Sequence, residues 1–278
     1  MTRQQVNMYR ILSVLLFLSA WLLPCAMAET VTVGGTGSGL GVMRLLGSGF
    51  SQLTPRYSVK VLPSLGTSGG IRALRAGALD MAIASRKVTS KEREGLEVYG
   101  LGRSPFVFAV HPGVPMDNIT LAQVRGIYAG DTAIWSDGNP IRRILRPVDE
   151  SDWLLMRAIS TEMAGAVDLA QKTEGLFVAI TDIDVADSLE KIKGSFSPIP
   201  LTLIVSEKRL VKVLSLNGVQ PSVEALAAHH YPLAKPYYLL VRQDAPESVR
   251  KFIAFIRSHQ GQQLLYQSGI DTNLSPLF

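Results

Sequence analysis

Strand-like runs and helix-periodic segments alternate along almost the whole 278-residue chain. Strand-like runs fall at Thr30–Val33, Tyr57–Pro63, Met81–Ala84, Phe106–His111, Ile144–Leu145, Leu201–Ser206, Lys212–Leu214 and Tyr237–Val241. Helical periodicity fills the intervals at Val42–Leu53, Gly69–Ala76, Leu121–Tyr128, Trp153–Ser160, Ala164–Lys172, Ser222–Ala228 and the long stretch Pro246–Ser268. Alternation at these lengths predicts an α/β fold with largely parallel sheets. No internal repeat or low-complexity linker interrupts it.

The first segment stands outside this pattern. Arg3 and Arg10 precede an apolar run, Ile11 to Leu23, which ends in the small-residue site Ala26-Met27-Ala28. That is the form of a secretory signal peptide, residues 1–28, with Glu29 as the new N-terminus. The run is short for a transmembrane helix. Cys25, the only cysteine, lies inside this leader. A lipid anchor there is the alternative, although Pro24 fits such a motif poorly. Cleavage after Ala28 removes disulfides, thiol chemistry and cysteine–metal sites together. The net charge of +5 includes Arg3 and Arg10, so the remainder is only mildly basic and has no Lys/Arg block. A nucleic-acid partner would need a concentrated basic stripe.

Two apolar strands raise a question of organisation. Phe106–His111 is followed by the turn Pro112–Pro115, and Pro236–Val241 follows another turn-like segment. Each reads either as a buried central strand or as a crossing between two lobes.

The turn Gly34-Gly35-Thr36-Gly37-Ser38-Gly39-Leu40-Gly41 links the first strand to the first helix. Its glycine spacing misses the dinucleotide fingerprint, no acidic residue follows until Asp80, and no Gly-Lys-Ser/Thr is present. A nucleotide is therefore not the expected ligand. Amides at a helix start, with the hydroxyls of Thr36 and Ser38, can receive an anion or simply cap the helix. The turn Ser64 to Gly70 repeats this chemistry with Thr67 and Ser68, and Ser85-Arg86 follows a third strand. In open parallel sheets ligands sit beyond the carboxyl ends of the strands. Three such turns on one edge favour an oxyanion site. The opposing wall is expected from Arg146 to Trp153, with Arg146 as a bidentate partner. Ser151 or Asp152 would either face the anion or cap a helix starting near Trp153.

Taken in order, GTGSG, GTSGGIRAL, LDMAIASR, GRSPFVFAVHP, LAQVRGIYAGDTAIWSD, LNGVQPS and YPLAKPYYLLV resemble the substrate-binding proteins of phosphate ABC importers, the PstS-like group. The resemblance spans nearly all of the mature chain. It implies a type II periplasmic-binding fold of two α/β lobes joined by two crossing strands. Lobe 1 would be residues 29–111 with 236–278, and residues 112–235 would form an inserted lobe 2. It also implies a phosphate-sized ligand with contacts from Ser38, Gly39, Thr67, Ser68, Ser85 and Arg146; Thr36, Arg86, Ser151 and Asp152 join the candidate site from the residue pattern alone. Closure on ligand would be read by a membrane partner, an ABC permease or a membrane sensor.

One departure is chemical. Where the group usually follows the arginine with a Ser-Gly-Thr-type turn, this chain has Pro147-Val148-Asp149-Glu150-Ser151-Asp152. A carboxylate beside an anion costs energy unless it pairs with a cation or accepts a proton from the ligand. Asp149, Glu150 or Asp152 could supply such an acceptor, or the change could select another anion. His111, His229, His230 and His259 belong to no nucleophile or metal motif. The expectation is a periplasmic, monomeric, non-catalytic binding protein without cofactor or metal.

Overall fold

A computed structural model describes residues 28–273 except Glu174. Apart from Ala28, the expected leader with Cys25 lies outside the described residues. The strands, in chain order, are β1 (Glu29–Gly35), β2 (Tyr57–Val61), β3 (Met81–Ala84), β4 (Leu96–Val110), β5 (Asn118–Ile119) and β6 (Arg142–Leu145). They continue with β7 (Phe177–Val178), β8 (Ser195–Pro200), β9 (Lys212–Val213), β10 (Ser215–Leu216) and β11 (Ala234–Arg242). The main sheet runs in the order β2-β1-β3-β11-β4-β8-β6-β7, with β9 also on β4, and β5 pairs with β10 separately.

Pairing is parallel in β2-β1-β3 and again in β8-β6-β7. The long strands β4 and β11 run antiparallel to their neighbours and join the two groups. Leu96 to Pro105 of β4 pairs with β11, and Phe106 to Val110 then pairs with β8. Each parallel group has its own hydrophobic core. One gathers Phe50, Phe252 and Phe255 around β1, β3 and β11. The other gathers Phe108, Tyr128, Trp153 and Phe196, with Tyr128 and Trp153 edge to face at 5.4 Å. The fold is two-lobed, with helices flanking mainly parallel sheets.

Two expected elements are different. Leu201–Ser206, expected as a strand, is a helix. β8 ends against β4 at Pro200, and the chain then turns over the sheet, where Thr202, Leu203 and Ile204 are buried. The Thr202 amide donates to Ser104 Oγ at 2.9 Å. A short apolar run fits either element, and the packing slot decides it here. The stretch Pro246–Ser268 is two helices, Glu247–Arg257 and His259–Gln267. Ser258 breaks it in extended conformation and caps the second helix by accepting the Gly261 amide. The helix Asp182–Lys191 and strand β8 are further elements that no expected segment covered.

Two glycines bring the strand ends together. Gly35 has φ +130°, and a Cβ there would collide with the Ile83 carbonyl oxygen. This lets the Thr36 amide donate to Ile83 O at 2.9 Å. Gly70 lies against Gly35, with only 2.6 Å from a Cβ at Gly70 to the Gly35 Cα. The Gly66–Arg75 helix can therefore sit directly on β1.

Gly35→Ala is expected to lower unfolding stability by about 3 kcal/mol or more, since strain and collision act together. Gly77→Ala is the contrast: φ is +73° with open space around it, so only the torsional cost of about 1–2 kcal/mol applies. Urea unfolding of both variants would measure the difference, and equal losses would refute the steric account.

Candidate functional site

Beyond the carboxyl end of β1 the chain makes a 3-10 turn, Gly37–Gly39, before the Leu40–Leu53 helix. This turn buries Thr36 and Ser38. Ser85 follows β3, and Thr67 lies in the first turn of the Gly66–Arg75 helix. Ser151 begins the Ser151–Arg157 helix on the opposite side. These hydroxyls converge. Thr36 and Ser85 share a hydrogen bond at 2.9 Å, and Ser85 and Ser151 share one at 3.0 Å. Thr36 also meets Ser38 Oγ at 3.2 Å, while the Ser85 amide donates to Thr67 Oγ1 at 3.1 Å.

The cluster ends on a residue the sequence reading did not single out. Asp182 Oδ2 accepts from the Ser38 amide at 3.1 Å and from Thr36 Oγ1 at 3.2 Å. Because Thr36 donates to this carboxylate, Ser38 and Ser85 can donate to Thr36, and Ser151 to Ser85. Asp182 Oδ1 faces Lys235 Nζ at 3.3 Å, and Lys235 also forms a close ion pair with Asp152. Lys235 has no exposed surface, and both carboxylates are buried.

Burial opposes the charge on Asp182, but Lys235, Arg146 and the Ser38 amide outweigh it and hold the carboxyl below its usual range. Burial prevails at Asp152, aided by the charge of Asp182, and raises its pKa despite Lys235 and Arg146. Lys235 is raised: burial would lower it, but the two carboxylates favour its protonated form more strongly.

Arg146 is also buried. Its Nη1 donates to the Ala179 carbonyl at 2.9 Å, and its Nη2 lies 3.3 Å from Glu150 Oε2. Its Nε has no hydrogen-bond partner among the described residues. The remaining expected contacts separate from this core. The Gly39 amide is spent on Thr36 O at 3.2 Å. Ser68 is exposed and accepts from Arg86 at 3.0 Å. Arg86 makes a two-pronged pair with Glu92 at 2.7 and 2.9 Å.

Expectation and structure also differ at the Ser151–Arg157 helix. Ser151 and Asp152 lie within its first turn; Glu150 stands at the cap position without a side-chain capping bond. Ser151 instead turns its hydroxyl to Ser85, and Asp152 turns its carboxylate to Lys235. A polar cavity of about 200 Å³ opens beside the cluster, lined in part by Thr67, Ser68, Arg72, Arg86, Glu150 and Ser151. A larger cavity of about 460 Å³, at His111, Trp135 and Arg142, touches none of the candidate residues.

Asp182 and Lys235 were legible only indirectly. Lys235 stands between Ala234 and Pro236 at the start of a buried strand, and a cation in such a place needs a buried partner. Thr181 with Asp184 forms a capping box that announces a helix, but nothing local says what Asp182 faces.

The fold defines a class: two-lobed proteins of the periplasmic-binding type. The chain belongs to the PBP superfamily, whose domain model matches residues 26–260. It is similar to the phosphate-binding protein PstS of Bacillus subtilis, with 21% identity over 243 residues, covering 84% of this chain and 77% of the relative. Its fold is similar to a Clostridium perfringens protein assigned as a phosphate ABC transporter substrate-binding protein and crystallised with phosphate. The TM-score is 0.73 at 20% identity, covering 87% of this chain and 98% of the other. An ABC-type phosphate transport receptor from Vibrio cholerae gives 0.60 at 22% identity, covering 86% and 98%.

Lys235→Met should cost about 3–5 kcal/mol, because it leaves two buried carboxylates without their cation. In that variant the folded-state carboxyl pKa values rise above their unfolded values of about 4, so stability should fall as pH rises from there. Urea unfolding across pH measures this; a small, pH-independent loss would contradict it. For the Arg86–Glu92 pair, the hydrogen bond from Arg86 leads the causes that pull Glu92 down to about 2. Its contribution is present above the unfolded value of 4.5 and is lost as pH falls through about 2. An NMR titration of the Glu92 carboxyl should find its midpoint near 2, and an ordinary midpoint would show the pair to be unimportant.

Proposed function

We propose that this is an exported, non-catalytic solute-binding protein that captures phosphate or a related small oxyanion between its lobes and presents it to an ABC importer. One observation carries the reading: the hydroxyls of Thr36, Ser38, Thr67, Ser85 and Ser151, drawn from both sides of the cleft, meet in one buried cluster. Neutral donors grouped with buried Arg146 suit a compact oxyanion, which accepts many hydrogen bonds at once. Arg86, Ser68 and Arg72 would form the outer rim. The names of the relatives, phosphate-binding and phosphate transport proteins, support the same ligand.

The departure at Asp149–Asp152 does not oppose this reading. Asp152 is neutralised by Lys235, and Glu150 pairs with Arg146. We take residues 29–111 with 236–278 as one lobe and 112–235 as the other, which puts the cluster at their seam. The separate cores support two lobes, with Phe106 to Val110 of β4 packed in the core of the second. The leader pattern supports export, and no helix among the described residues is long and apolar enough to cross a membrane. Closure around the anion would be the state a membrane permease recognises.

Calorimetry tests the proposal on protein expressed from its full-length sequence, after unfolding and refolding to strip carried-over ligand. Phosphate should bind saturably, and Arg146→Ala should weaken it about tenfold or more, as expected for a lost charge-assisted contact. Sulfate, titrated in parallel, reports selectivity between oxyanions. A folded chain that gives no saturable heat with phosphate up to millimolar concentration overturns the phosphate reading.

A further inference from the structure

Asp182 holds donors of the hydroxyl cluster. Its Oδ2 occupies the Ser38 amide and the Thr36 hydroxyl, which belong to the other side of the cleft, and its Oδ1 faces Lys235. The sequence makes room for it. A Cβ on Gly37 would lie only 3.2 Å from Asp182 Oδ2 and 3.3 Å from its Cβ. The cations at the seam are already engaged: Lys235 is shared by Asp152 and Asp182, and Arg146 is paired with Glu150. An incoming anion therefore meets no open amide at Ser38.

We infer that Asp182 is a built-in oxyanion that latches the two lobes together without ligand, and that a bound anion must displace it from Ser38 and Thr36. This rests on the oxyanion reading of the cluster. Displacement has a route. Thr67 and Ser151 line the adjacent 200 Å³ cavity, so an anion arriving there would first meet hydroxyls that Asp182 does not hold. Asp182 would keep Lys235 as its partner after leaving Ser38, so its charge would not be stranded. The carboxyl stays ionised at neutral pH because cations and the Ser38 amide hold its pKa down, which is the form that competes with an anion.

Competition of this kind lowers apparent affinity by the fraction of molecules whose site is free. Removing the carboxylate should therefore strengthen anion binding, the reverse of what losing a ligand contact does. The test measures phosphate affinity by calorimetry and lobe opening by small-angle X-ray scattering, on wild type, Asp182→Ala and Asp182→Asn. Asn keeps the shape and guards against a folding defect in the Ala variant; circular dichroism checks both. Wild type without ligand should scatter as compactly as with saturating phosphate. Either variant should be more open without ligand, compact with it, and bind phosphate about tenfold or more tighter, as a site some nine-tenths occupied by its latch would require.

Unchanged or weaker phosphate binding in both folded variants overturns the latch and leaves the proposed function standing. So does a ligand-free wild type that is open and closes only on phosphate. If no form binds phosphate, the phosphate reading fails, and scattering alone judges the latch: opening in the variants upholds it, and no opening overturns it.

Discussion

The structure depends on one fully buried ammonium group. Lys235 lies at the start of the long strand β11 and is shielded from water on every side. A lone charge in that position would cost more than the domain can sustain. Asp152 and Asp182 make it tolerable, and they come from two separate helices. The ion trio thus fixes how the two helices approach the seam. It also aims the second oxygen of Asp182 at Ser38. Replacing such a trio by apolar residues need not weaken a fold, so its contribution is best read as geometry and specificity.

Around the trio the site is built from dipoles. Five hydroxyls and an amide can rearrange their hydrogen bonds at little cost, because each hydroxyl both donates and accepts. Fixed charges cannot. Under the latch proposed above, an incoming oxyanion would need the donors to turn toward it while Asp182 keeps Lys235. Arg146 marks the boundary between the two regimes. Two of its nitrogens are engaged by Ala179 and Glu150, while Nε is buried without a hydrogen-bond partner among the described residues.

Much of this was legible in the sequence. The turns after β1 and β3 and at the Gly66–Arg75 helix carry hydroxyls and glycines because strand-to-helix transitions need both caps and close backbone approach. Thr36, Ser38, Thr67, Ser85 and Ser151 do meet. Arg86 and Ser68 carry the same residue chemistry but turn to each other and to Glu92, and no spacing rule distinguishes a guanidinium that faces a ligand from one that faces Glu92 six residues on. Leu201–Ser206 shows the limit for elements. Its apolar residues suit a strand, yet β8 ends at Pro200 opposite Phe106, and the chain then folds over the sheet as a helix.

What the sequence by itself determined is local and periodic: the alternation of strands and helices, the glycines that permit tight turns, and a supply of hydroxyls at strand ends. These follow from backbone sterics and from burying one face of each element, and both act over a few residues. Only the tertiary structure decided the electrostatics. The partner of Ser38 is 144 residues away in the chain, and Lys235 lies 83 residues from Asp152. Burial turns such distant pairs into strong interactions by excluding water. Which charges share a water-free space is a property of the packed chain, and neither Asp182 nor Lys235 carries a local mark of the other.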